Sequence, residues 1–290
     1  MAVQREQLTL FPFALSGSPR GTESDDTLKG QGMRIRLLLI TAPLLLVASC
    51  GGGSSSTSSS SALSGNWQMT LLKGANPKIA KTESGFLVQN NDTITGSLSL
   101  IDTPCSGVGS VTGSVSGTNI ALVITPTGLT VNLTGTVQAN QSMSGNFTIL
   151  ASGCSGSESA PLTGTWTANL VAPLQGTLQG TFTSNKTGDV WPITGKIAQG
   201  QNTGISNTTL TGNVAITGYC LAGATISGVV SGTNVVMELV NSSGVEIGQV
   251  SGTSALDGSS VKGTYMIIPQ GPGNAQPCAN GDSGTVTFTL

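Results

Sequence analysis

The chain of 290 residues contains no histidine. That excludes a Ser-His-Asp triad, a Cys-His pair and any imidazole-ligated metal. Charge is also scarce: Asp, Glu, Lys and Arg together make up 8%, with a formal net charge of −2. Of the 11 Lys and Arg, 5 precede residue 50, which leaves no basic surface for nucleic acid. Aromatic residues are 4%. There are 5 cysteines, none in a C-x-x-C, so neither a zinc ribbon nor thioredoxin chemistry has a motif. Walker A, G-x-S-x-G and the D-x-D-x-D-G calcium loop are missing as well. No metal and no cofactor is expected.

Small polar residues are abundant. Gly numbers 41, Ser 36 and Thr 38, so Ser and Thr fill a quarter of the chain. Their distribution is uneven, and it divides the chain.

Residues 33–49 run from a basic start (Met33-Arg34-Ile35-Arg36) through an apolar stretch, 37–47, to Ala48-Ser49. This is the three-part pattern of a secretory signal. The apolar stretch is too short to span a bilayer core of ~30 Å. Val47-Ala48-Ser49-Cys50 resembles the lipobox of bacterial lipoproteins. The resemblance implies lipidation of Cys50 (palmitate among the acyl chains), cleavage before it, and a membrane partner reached through that lipid. Gly51, rather than aspartate, follows the cysteine. In that family this implies the outer membrane rather than the inner. Residues 1–32 precede the signal and lack a sustained period, so they read as a mis-called N-terminal extension with Met33 as the true start. Residues 50–62 are a Gly/Ser tether with a reach of ~20 Å.

The remainder is a duplication. The segment Val111-Thr-Gly-Ser-Val-Ser-Gly-Thr-Asn-Ile120 recurs as Ile226-Ser-Gly-Val-Val-Ser-Gly-Thr-Asn-Val235. Ser142-Met-Ser-Gly-Asn-Phe147 recurs as Ser260-Val-Lys-Gly-Thr-Tyr265. A period of about 115 residues is right for a repeated domain, giving copies over 63–171 and 172–290. Each copy owns two of the four remaining cysteines. The expected disulfides are Cys105–Cys154 and Cys220–Cys278, as an exported chain permits.

Both copies repeat the pattern apolar-x-Gly-x-apolar, as at 63–67, 94–98, 111–115, 143–147, 162–166, 178–182, 210–214 and 261–265. Alternation at period two marks strands with one buried face, and Ser, Thr and Asn fill the other. Glycine on the inward face permits the bends a closed sheet needs. In copy one the strands fall near 65–71, 84–90, 93–101, 110–117, 119–125, 130–138, 142–150 and 163–170. The fold class is therefore all-β: two tandem antiparallel eight-strand meanders, closed as barrels or flattened as sandwiches. The cysteine loops lie at one end of each meander. Pairing them shuts that end or flattens the barrel.

Candidate sites are few. Trp67, Trp166 and Trp191 could line a ligand cavity or fill the core. Leu162-Thr-Gly-Thr-Trp166 and Gly180-Thr-Phe182 are faintly similar to strands of avidin-like barrels, which implies the former role. Lys186-Thr-Gly188 and Ser259-Ser-Val-Lys262 mimic two β-lactamase motifs in reversed order and without the third. A glycosidase needs two carboxylates at fixed separation. The mature chain offers Glu83, Asp92, Asp102, Glu158, Asp189, Glu238, Glu246, Asp257 and Asp282. Glu238 and Glu246 flank the turn Asn241-Ser-Ser-Gly244. A four-residue loop would set them on opposite faces, and a three-residue loop would bring them to one face. The best functional reading is a non-enzymatic structural or binding module of the cell envelope, with an envelope polysaccharide or protein as partner. A small-ligand carrier and a carboxylate-dependent glycoside hydrolase are the alternatives.

Overall fold

The computed structural model describes residues 63–74, 80–100, 107–139, 141–151, 161–200, 208–219, 221–269 and 281–290. The signal, Cys50, the tether and all four remaining cysteines lie outside these residues. The described chain is all strand and turn.

Copy one contributes β1 (Gly65–Lys73), β2 (Ala80–Asn90), β3 (Thr93–Leu100), β4 (Gly107–Ser116), β5 (Asn119–Thr125), β6 (Leu129–Val137), β7 (Ser142–Ala151) and β8 (Leu162–Val171). Each pairs antiparallel with the next, and β1 pairs with β8, so the sheet is a closed barrel. Copy two repeats this with β9 (Gln175–Ser184), β10 (Val190–Gln199), β11 (Thr208–Ile216), β12 (Gly223–Ser231), β13 (Asn234–Val240), β14 (Glu246–Ser254), β15 (Ser260–Ile267) and β16 (Asp282–Thr289). Pairing of β16 with β9 closes the second barrel. Closure, not flattening, is the outcome. It leaves no edge strand open to another chain.

The alternation in sequence is the cause. In β5 and β13 every second residue is buried, and the residues between face out. Most strand Leu, Ile, Val, Phe and Trp point inward and most Thr, Ser and Asn outward, with Val88, Leu150, Val229 and Val236 among the apolar exceptions. This is the inverse of a membrane-spanning barrel, whose outer wall is apolar. The barrels are built to be wetted.

The inward glycines bend the wall where two strands approach. Gly135 pairs directly with Gly145, and Gly252 with Gly263, at the same place in each copy. A methyl on Gly145 would run into the Thr134 carbonyl and the Gly135 Cα. Aromatic rings cover other glycines. Phe147 lies opposite Gly164 and Tyr265 opposite Gly284, with a notional Cβ 2.7 Å and 2.8 Å from the rings. The small residue leaves the space that the large one across the strand fills.

Registers coincide between copies. Gly65 faces Leu87 in the first, and Gly176 faces Ile197 in the second. The backbone N–H of Leu63 donates to Gln89 Oε1 at 3.1 Å, and that of Leu174 to Gln199 Oε1 at 2.9 Å. The duplication seen in sequence is a duplication of hydrogen-bond register.

The two barrels also touch. Asn66 and Ser84 sit on the outer wall of barrel one, yet they are only 3% and 2% exposed. The β12–β13 turn of barrel two covers them. Asn66 Nδ2 donates to the Gly232 carbonyl, and the Gly232 N–H donates to Asn66 Oδ1, both at 2.7 Å. Gln68 Oε1 accepts the N–H and the hydroxyl of Thr233, at 2.9 and 3.1 Å. Ser84 and Ser231 share a hydroxyl hydrogen bond of 2.8 Å. At the linker, the Ala172 N–H donates to the Leu256 carbonyl at 2.8 Å.

Candidate functional site

Polar and aromatic side chains converge at one end of barrel two. Asp282 opens β16, Ser184 closes β9, Trp191 lies near the start of β10, Tyr219 follows β11 and Tyr265 lies near the end of β15. A meander brings these five places together because alternate turns share one end. Tyr219 and Tyr265 are the chain's two tyrosines.

The carboxylate of Asp282 is the hub. Its Oδ2 accepts the hydroxyls of Tyr265 at 2.6 Å and Tyr219 at 2.9 Å. Its Oδ1 accepts the Ser184 hydroxyl at 2.8 Å. Ser184 Oγ in turn accepts the N–H groups of Lys186 and Thr187, which shapes the β9–β10 turn. The rings pack as a chain. Phe182 stacks on Tyr265 with centroids 4.3 Å apart, Tyr219 meets Tyr265 edge-on at 6.5 Å, and Trp191 lies against Tyr219 at 4.4 Å. Tyr265 is buried, whereas Trp191 and Tyr219 are half-buried and reach solvent.

Protonation follows from this geometry. Burial pushes both tyrosine hydroxyls well above their ordinary range, and the hydrogen bonds to Asp282 push further in the same direction. For Asp282, burial acts upward. The hydroxyl donors of Tyr265, Ser184 and Tyr219 outweigh it and hold the carboxyl below its ordinary value. At neutral pH the aspartate is charged and both tyrosines are protonated. A carboxylate has about four acceptor positions, and three hydroxyls hold most of them. The three hydrogen bonds tie both tyrosine rings and the end of β9 to one carboxylate.

Copy one does not build it. By strand register, Phe182, Tyr265 and Asp282 correspond to Leu71, Phe147 and Leu162. Of these residues only Trp191 stands out as a candidate in the sequence; Tyr219, Tyr265 and Ser184 belong to no motif, and Asp282 is one of nine carboxylates in the mature chain. The signal was present: both tyrosines and this aspartate fall in copy two, at places where copy one is apolar or unaligned.

The other expected residues are placed apart. Trp67 is fully buried, with Nε1 donating to the Leu63 carbonyl at 3.0 Å. Trp166 is 1% exposed, with Nε1 donating to the Thr134 carbonyl at 3.1 Å. Both fill the core of barrel one with Met69 and Leu98. At the centre of barrel two, between Phe182, Met237 and Phe288, the void is about 10 Å³. That admits one water at most.

Glu238 and Glu246 settle on one face, because a three-residue loop closes the hairpin. Asn241 pairs with Val245, Gly244 takes φ 78°, and Val240 faces Glu246. A bulge at Ile247 then restores the inward alternation. Both glutamates stand exposed on the outer wall, not in a cleft. Glu83 lies inside the wall of barrel one, Asp92 in the β2–β3 turn, and Asp189 in the β9–β10 turn. The Ser259–Lys262 mimic is a turn and strand start, with the Ser259 hydroxyl donating to Asp257 at 2.6 Å. Asp102, Glu158 and the cysteines lie outside the described residues. Among those residues, no group of three acidic or cysteine side chains could hold a metal.

No protein-family model matches the chain, and no curated protein does. A solved structure, kievitone hydratase from Nectria haematococca, is similar over 79% of this chain and 90% of its own, at 10% identity and a TM-score of 0.22. At that level of similarity neither fold nor activity carries over.

Proposed function

We propose that this chain is an exported lipoprotein of the bacterial cell envelope, anchored through Cys50, that binds or scaffolds rather than catalyses. The anchor rests on the resemblance of Val47-Ala48-Ser49-Cys50 to a lipobox. The wettable outer walls agree with barrels held beside a membrane on the Gly/Ser tether. One observation carries the binding reading: Asp282 anchors the Tyr219 hydroxyl, and Trp191 packs against the Tyr219 ring, so two half-exposed rings stand together at one end of barrel two. Fixed, half-exposed rings suit stacking against a polar partner such as an envelope polysaccharide.

The test has two parts. Intact mass of the protein from its native membrane should start at a lipidated Cys50. A mass starting at Met1 without lipid would overturn the anchor. Binding of solubilised envelope polysaccharide should quench Trp191 fluorescence and be lost in Trp191→Phe. Equal retention of both proteins on the polysaccharide would overturn the role of the rings.

A further inference from the structure

The tetrapeptide Ser-Gly-Thr-Asn occurs at 116–119 and again at 231–234. Each closes a two-residue hairpin, with Ser116 facing Asn119 and Ser231 facing Asn234. The first loop residue is glycine at φ 58° and 57°, as a type II′ turn requires. Turn chemistry alone accounts for the shared sequence. It does not account for the difference in surroundings. The second turn is docked on Asn66, Gln68 and Ser84 of barrel one, and a Cβ on Gly232 would meet Ser84 at 2.6 Å. The first turn is exposed at all four residues, and nothing lies within 4 Å of a Cβ on Gly117. The molecule thus presents a bound and an unbound form of one turn.

The receptor is duplicated too. Strand register equates Asn66, Gln68 and Ser84 with Thr177, Gln179 and Thr194 of barrel two. All three are exposed, all keep a hydrogen-bonding side chain, and the glutamine is retained. Beside Gln179 lies an outer groove of about 220 Å³, walled by Thr181, Lys262 and Thr287. Barrel one therefore carries a vacant turn, and barrel two a vacant receptor face.

We propose that copies of this chain associate head to tail, the 116–119 turn of one docking on the Thr177, Gln179 and Thr194 face of the next. The step repeats the one that already joins barrel two to barrel one. It is heterologous, so each added copy leaves a free turn at one end and a free face at the other, and growth continues past the dimer as a row or a ring. The contact within the chain gains from its linker, which supplies an effective concentration of order mM. Thr177 also offers fewer hydrogen bonds than the amide of Asn66. The contact between chains is accordingly weak and needs high local concentration, whether or not a lipid supplies it.

The test is cross-linking of the purified full chain at high concentration with a short thiol-specific reagent. The double variant Asn119→Cys with Thr181→Cys, which flanks the contact and leaves Thr118, Thr177, Gln179 and Thr194 in place, should give a ladder of dimers, trimers and longer species. The unsubstituted chain, and Thr112→Cys (on the outer wall of β4) with Thr181→Cys, should lack that ladder. A monomer alone, a product that stops at dimer, or an equal ladder from the Thr112 control would each overturn the proposal. Because no membrane is used, failure here is separate from failure of the lipid anchor.

Discussion

Asn66 and Gly232, 166 residues apart, exchange two hydrogen bonds of 2.7 Å across the junction of the barrels. The asparagine side chain reads the backbone of the turn as a neighbouring strand would. It satisfies a donor and an acceptor that the contact would otherwise bury unpaired.

The first prediction follows directly. Asn66→Ala should leave the Gly232 N–H and carbonyl unsatisfied and weaken the junction by about 1–3 kcal/mol. Calorimetry of the native chain should show the barrels unfolding together. The variant should separate that event into two transitions.

A second prediction concerns the tyrosines. Both hydroxyls have raised pKa values in the folded state, so folding stabilises the protonated form. That contribution is complete below the unfolded tyrosine value near 10 and is lost as pH rises above it. Because the chain has 2 tyrosines, tyrosinate absorbance reports these groups alone. It should stay flat above pH 10 until the protein unfolds. Ordinary titration in the folded chain would contradict the hub.

Asp282 predicts the opposite limb. Its folded value is lowered, so its contribution is present above the unfolded aspartate value near 4 and fades as pH falls through the folded one. Thermal stability should therefore fall toward acid in the native chain and fall less in Asp282→Asn. At neutral pH that variant should lose about 1–2 kcal/mol, discounted for its partial exposure.

The glycine pairs predict a steric contrast. Gly145→Ala places a methyl against the Thr134 carbonyl and Gly135, and something in the wall must shift. A loss of about 1–3 kcal/mol is expected, as for other overpacked positions. Gly107→Ala meets nothing within 4 Å and should be neutral. Urea denaturation of both variants checks the difference.

The last prediction concerns export. Cys50→Ala should move the protein from the membrane to the aqueous fraction. Non-reducing peptide maps should join Cys220 to Cys278 and Cys105 to Cys154. The hydrogen bond between Tyr219, next to Cys220, and Asp282, four residues past Cys278, supports the first of these pairings. Free thiols at these cysteines in exported protein would refute both.

Sequence by itself determined the wall. Period-two alternation in segments such as 119–125 sets which residues turn inward, and turns such as Gly117-Thr118 set where each strand ends. These are local choices, made by neighbours along the chain, and the repeat fixed them twice. Only the tertiary structure decided what the wall brings together. Closure, rather than flattening, follows from β1 meeting β8 and β9 meeting β16, a pairing no local pattern encodes. The junction of Asn66 with Gly232 and the hub at Asp282 likewise join residues far apart in the chain, with no period between them. Their geometry depends on how eight strands wrap, and that is a property of the closed sheet as a whole.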